Sequence, residues 1–76
     1  MIEVYASENC IWCRRMRRYL DKKGVQFRTI NASEPFNSRH VRQLTGQNSL
    51  PVTVIGNTTV IGFDRQAVDT ALQNIQ

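Results

Sequence analysis

Cys10 and Cys13 are the only cysteines of the chain, and they stand two residues apart within SENCIWCRRMRRYL, Ser7 to Leu20. Thiols at that spacing admit three kinds of chemistry: a structural bridge, part of a metal site, or a dithiol that carries electrons. A bridge across so short a loop removes little chain entropy and so stabilises little. Zinc takes four ligands and the pair supplies two. His40, the single histidine, reads as an exposed residue of a helix rather than a ligand, and no metal ligand set is expected. The electron carrier makes two demands: one sulfur held ionised, and a second within bonding reach.

The local pattern meets both. Ile2, Val4 and Tyr5 form a short strand, Ser7 to Asn9 is a polar break, and Asn9 can cap a helix that opens at Cys10. The first turn of a helix leaves N–H groups unpaired and carries about half a positive charge. A thiolate on Cys10 is stabilised there, and in such motifs the thiol pKa drops from ~8.5 into the range ~3.5–7.5. Cys13 then lies one turn deeper and resolves the mixed disulfide that Cys10 makes with a substrate. Trp12, between the sulfurs, either offers an apolar surface to a substrate peptide or packs against the end of the sheet.

Six of the ten basic residues fall between Arg14 and Lys23, in a chain whose formal charge is +4. Phosphate contacts produce such stripes, but no RNA-stacking motif or zinc-finger spacing accompanies this one. The stripe reads as the solvent face of the helix. Attraction to an acidic protein partner fits it better than nucleic acid does. Arg14 and Arg15 also stand close enough in sequence to favour a thiolate or a partner's anionic groups.

The elements that must position the pair follow from periodicity. Cys10, Cys13, Met16, Tyr19 and Leu20 share one helical face, opposite Arg14, Arg15, Arg18 and Lys22, and Gly24 ends the helix. Val25 to Ile30 alternates as a second strand, parallel to the first across a right-handed crossover. Asn31 to Asn37 is a polar loop. Ser38 caps a helix to about Thr45 that carries Val41 and Leu44 inward, and Gly46 ends it. Val52–Ile55 and Thr58–Ile61 form a hairpin about Gly56-Asn57. Asp64 caps a last helix whose inner face is Val68, Ala71, Leu72 and Ile75. The order is βαβαββα, an α/β fold with a four-stranded mixed sheet flanked by three helices.

With 76 residues, 41% of them hydrophobic and 8% aromatic, the chain is expected to be one globular domain, 1–76. No run approaches the roughly 20 apolar residues of a membrane span. The N-terminal MIEVYASENC lacks the features of a signal peptide. A cytoplasmic protein with no membrane association is expected, where a permanent disulfide would be unusual.

VYASENCIWC after a strand, SLPV before the third strand and IGFDRQAV at the last helix resemble the glutaredoxin family in order and spacing. The resemblance runs nearly the whole length and implies a thioredoxin-like fold. It implies Cys10 as nucleophile, Cys13 as resolving cysteine, and Pro51 as a cis-proline that turns the backbone of Leu50 toward an extended substrate. Without the resemblance, Pro51 would read as a trans proline opening an edge strand. Three departures bear on the reductant. Ile11-Trp12 replaces the Pro-Tyr of glutathione-using members, Ser7 stands where they commonly carry a cation, and Ile61-Gly62 replaces their paired glycines. Gly62, Phe63 and Asp64 resemble instead the NrdH-redoxin type, which supplies ribonucleotide reductase and is recharged by thioredoxin reductase. The helix after Asp64 could still receive the γ-glutamyl carboxylate of glutathione.

The expectation is therefore a monomeric thiol–disulfide oxidoreductase. Cys10 and Cys13 are catalytic, and Trp12, Leu50, Pro51, Gly62, Phe63 and Asp64 bind substrate. No cofactor is tightly bound, and glutathione enters as a co-substrate if at all. Its partners are a disulfide-containing protein and either glutathione or thioredoxin reductase. The alternative is an iron–sulfur module in which the CxxC thiolates of two chains and outside thiols share a cluster.

Overall fold

A computed structural model describes residues 1–75. Its elements run β1 (Ile2–Ala6), α1 (Ile11–Lys22), β2 (Arg28–Asn31), α2 (Pro35–Thr45), β3 (Val52–Ile55), β4 (Thr58–Ile61) and α3 (Arg65–Asn74). The sheet order is β2-β1-β3-β4. β1 and β2 are parallel, and the other two pairings are antiparallel. This is the expected βαβαββα order and mixed sheet.

Strand alternation divides the core between the two sheet faces. Ile2, Val4 and Ala6 of β1, with Ile55 and Val60, meet Cys13, Met16 and Leu20 of α1 and Val68, Ala71 and Leu72 of α3. Tyr5 and Val52 point the other way, toward Val41 of α2 and Ala32. The larger cluster lies under α1, so the cysteine helix is fixed by a row of side chains buried at three- and four-residue spacing. Arg14, Arg15, Arg18 and Lys22 are exposed, as expected.

Five local expectations need correction. Asn9 is not the cap of α1: Cys10 takes that position, in extended backbone (φ −108°, ψ 107°). The second strand begins at Arg28 rather than Val25. Gly24 (φ 73°) turns the chain out of α1, and residues 25–27 bring it back to where Arg28 can pair with Glu3. Val25 and Phe27 pack against the core without joining the ladder. Helix α2 starts at Pro35, not after Ser38. A proline in the first turn needs no N–H partner and has its φ preset, so Glu34 precedes the helix with no side-chain cap bond. Asn31 ends β2 and braces the connection, accepting the Ser33 N–H on its side chain and the Asn37 amide on its carbonyl. Leu44 and Ile75 are exposed rather than buried, the first because α2 covers a narrower apolar strip than α1 does, the second because α3 ends at Asn74.

Candidate active site

Cys10 is where β1 has given way to α1, and its role as cap decides its chemistry. The Cys13 N–H donates to Cys10 Sγ at 3.1 Å. An N-cap side chain normally answers the N–H two or three positions on, so the CxxC spacing is also the spacing of a capping interaction, with sulfur in place of oxygen. In the reduced protein a donor so placed favours the Cys10 thiolate, and the open end of α1 adds to the effect. Cys10 and Cys13 form a disulfide with Cα atoms 5.2 Å apart, within the ordinary range for such bridges. Their environments differ. Cys13 is fully buried beneath α1, whereas Cys10 is half-buried at its mouth.

Two loops carry the other residues expected at the site. The Leu50–Pro51 peptide is cis, as the resemblance implied. Pro51 is buried, and its carbonyl accepts the Gly62 N–H at 2.8 Å, which ties the loop before β3 to the loop after β4. Gly62 has φ 78°, and a Cβ built there meets nothing within 4 Å. Glycine is thus present for its left-handed backbone, with open space beside it. Phe63 follows, its ring centroid 5.9 Å from that of Trp12. Asp64 caps α3 as expected, accepting the Ala67 N–H at 3.1 Å.

Trp12 packs on Phe63 and Arg15 rather than on a strand of the sheet. It is 49% exposed, yet one side is engaged by Phe63 and the Arg15 guanidinium carbon lies 4.7 Å from its ring centroid. Ile11, next to Cys10 in the chain, is exposed as well. His40 sits elsewhere, on α2, with its ring 5.8 Å from Tyr5. Among the described residues, no group of three or more His, Cys, Asp or Glu side chains gathers in a metal-holding arrangement.

One network escaped the sequence reading. Tyr19 of α1 donates its hydroxyl to Asp69 Oδ1 of α3 at 2.7 Å, and Lys23 Nζ lies 3.0 Å from the same oxygen. Tyr19 also meets Phe63 edge to face at 6.1 Å. The chain Trp12–Phe63–Tyr19–Asp69 thus braces the aromatic side of the site against both helices. Its signal is tertiary, since fifty residues separate Tyr19 from Asp69.

The Tyr19 hydroxyl, and after it Lys23, hold the Asp69 carboxyl below its usual range, and hydrogen bonds to Asp69 and Tyr19 raise Lys23. A carboxyl lowered by folding adds stability above its unfolded pKa of ~3.9 and loses it as pH falls through the lowered value. A raised lysine adds stability below its unfolded pKa and loses it as pH climbs through the raised one. Asp69→Asn is therefore expected to melt at a lower temperature than the parent at neutral pH, and the gap should close on acidification below the carboxylate range. Thermal melts of both proteins from about pH 6 down to about pH 2 check this.

Comparison with known proteins places this geometry in context. The glutaredoxin family pattern matches residues 2–60. A glutaredoxin-like 8.6 kDa protein from a rubredoxin operon of Clostridium pasteurianum is 28% identical over 74 residues, covering 96% of this chain and 99% of that protein. The N-acetyl-S-hydroxy-L-cysteine reductase of Bacillus subtilis is 32% identical, covering 96% of this chain and 84% of that enzyme. The structure of the glutaredoxin-like NrdH-redoxin of Escherichia coli superposes with a TM-score of 0.79 at 23% identity, over 91% of each chain.

Proposed function

Because the chain belongs to the glutaredoxin family, we propose that it is a dithiol electron carrier that reduces disulfides of a protein substrate and is recharged by a flavoprotein of the thioredoxin reductase type. The observation that carries this reading is the asymmetry of the pair: Cys10 Sγ at the mouth of α1 facing the Cys13 N–H, and Cys13 buried one turn deeper.

The cycle starts from the reduced pair. The Cys10 thiolate attacks one sulfur of the substrate disulfide, and the other substrate sulfur leaves as a thiolate that takes up a proton. Cys13 then gives up its proton and attacks Cys10 Sγ. The second substrate sulfur departs as a thiol, and the Cys10–Cys13 disulfide remains. Two electrons have passed to the substrate, and NADPH returns them through the reductase. Leu50, ahead of the cis peptide, lends its backbone to an extended substrate, while Trp12, Gly62 and Phe63 form the wall beside it.

Three features favour a protein reductant over glutathione. Ser7 supplies no cation ahead of the pair. Ile61 stands before Gly62 where glutathione-using members have a glycine, so a side chain fills part of the close backbone approach. The exposed Ile11 and Trp12, between the cysteines, suit a macromolecular contact better than a small hydrophilic tripeptide.

The oxidised protein is offered NADPH with thioredoxin reductase in one reaction, and NADPH with glutathione and its reductase in another. NADPH consumption is expected in the first, at least about tenfold faster than in the second. Faster consumption with glutathione would reverse the assignment of reductant, and no consumption in either would contradict the carrier itself.

A further inference from the structure

The basic face of α1 is not used by the thiol chemistry, and it is not featureless. A shallow groove of about 200 Å³ is lined by Arg15, Arg18, Tyr19, Lys22, Phe63 and Arg65. Its floor is aromatic, Tyr19 set edge-on to Phe63, and its rim is four exposed cations. Trp12, between the cysteines in the chain, adjoins the groove through Phe63 at 5.9 Å and Arg15 at 4.7 Å.

We propose that this groove docks an acidic segment of the protein whose disulfide is reduced, a role that rests on the oxidoreductase reading above. Among the described residues the ion pairs are Lys23–Asp69 and Arg28–Glu3, so Arg15, Arg18, Lys22 and Arg65 make none. The carboxylates adjoining the groove are already committed. Asp69 accepts from Tyr19 and Lys23, and Asp64 caps α3. Arg14, Arg18 and Lys22 follow one another at four-residue spacing, a like-charge series that costs helix stability. An anionic partner would relieve that repulsion.

Size and position identify the partner. Arg15 to Lys22 spans seven residues, about 10 Å along the helix, which is the length of about three residues of extended chain. An acidic tripeptide stretch thus matches the cations, with an apolar side chain resting on Tyr19 and Phe63. Two lining residues, Arg15 and Phe63, contact Trp12, which stands between the cysteines in the chain, and a nucleic acid brings no disulfide to them.

The test uses the reduced full chain and peptides that carry one disulfide flanked by an Asp-Glu-Asp stretch, by its Asn-Gln-Asn isostere, or by Lys-Lys-Lys. The acidic peptide should be reduced with kcat/KM about tenfold above the isostere at low salt, an advantage lost at high salt. In Arg18→Glu/Lys22→Glu the order should invert, favouring the lysine peptide; a ratio within one variant is insensitive to changes in its overall activity. Equal rates for acidic and isosteric peptides, or an unchanged order in the variant, would overturn the groove. Inhibition by a short oligothymidylate at lower concentration than by a disulfide-free acidic peptide would overturn it in favour of nucleic acid. A neutral dipyridyl disulfide separates the two readings: wild-type protein that reduces it but treats the peptides alike loses only the groove, whereas protein inert toward it loses the carrier function.

Discussion

Cys10→Ser is expected to abolish disulfide reduction, with a loss of at least about 10⁴-fold in turnover, the scale seen when a nucleophile is removed. Serine at the N-cap accepts the same N–H and is a better cap than cysteine, so α1 should form as well as before. The hydroxyl does not ionise near neutral pH and cannot form a bond to sulfur that Cys13 would then exchange. Cys13 cannot take over, because it is buried under α1 with no exposed surface. Insulin reduction followed by turbidity, with a melting curve on the same sample, separates lost chemistry from lost structure. A folded variant that still precipitated insulin would contradict the assignment of Cys10 as nucleophile.

Cys13→Ser is expected to behave differently, and the difference identifies the resolving step. Attack by Cys10 survives, since the backbone N–H at position 13 still faces its sulfur and α1 still opens at the same place. Release does not, because no second thiol lies within reach. The variant should accumulate a mixed disulfide with a protein substrate, seen as a covalent adduct in non-reducing mass spectrometry, while steady-state reduction of protein disulfides falls at least about 100-fold. A substrate glutathionylated on a single cysteine should still be deglutathionylated once per chain, leaving a Cys10–glutathione disulfide that added glutathione thiol releases as glutathione disulfide. The substitution also places a hydroxyl in a buried, apolar environment suited to sulfur, so a modest drop in stability is expected, of about 1–3 kcal/mol. Wild-type turnover by the variant, with no trapped adduct, would remove Cys13 from the cycle.

How much of this was legible in the sequence depends on which force fixes each part. Helix α1 and its buried face are readable because Cys13, Met16 and Leu20 repeat at helical spacing, and the hairpin because Gly56-Asn57 divides two β-branched runs. Local chemistry is readable where a side chain performs it, as with Asp64 capping α3. It is hidden where the backbone or an unexpected atom performs it. Pro35 starts α2 by needing no partner, not by supplying one, so a search for a capping hydroxyl moves the helix start to Ser38. Sulfur is not among the usual capping atoms, so the sequence points to Asn9 rather than Cys10, and the most informative feature of the site stays hidden.

The candidate site divides in the same way. Cys10, Cys13, Pro51 and Gly62 stand out by motif and spacing, and one backbone hydrogen bond from Gly62 to Pro51 joins the loop before β3 to the loop after β4. The pairing of Trp12 with Phe63, and the brace of Tyr19 on Asp69, arise only when α1 and α3 pack on the same face of the sheet. No periodicity within either helix marks residues that meet across so long a stretch of chain. The positive stripe is visible at once, but its meaning depends on Phe63 and Arg65 completing a groove that α1 alone does not make.

Alkylation kinetics report whether the end of α1 keeps the Cys10 sulfur ionised. Reduced protein is treated with iodoacetamide across a pH series, and the rate of modification at Cys10 is read by peptide mass. The rate should rise with a midpoint below pH ~7.5, with Cys13 unmodified throughout. A midpoint near ~8.5, that of free cysteine, or preferential modification of Cys13, would contradict it.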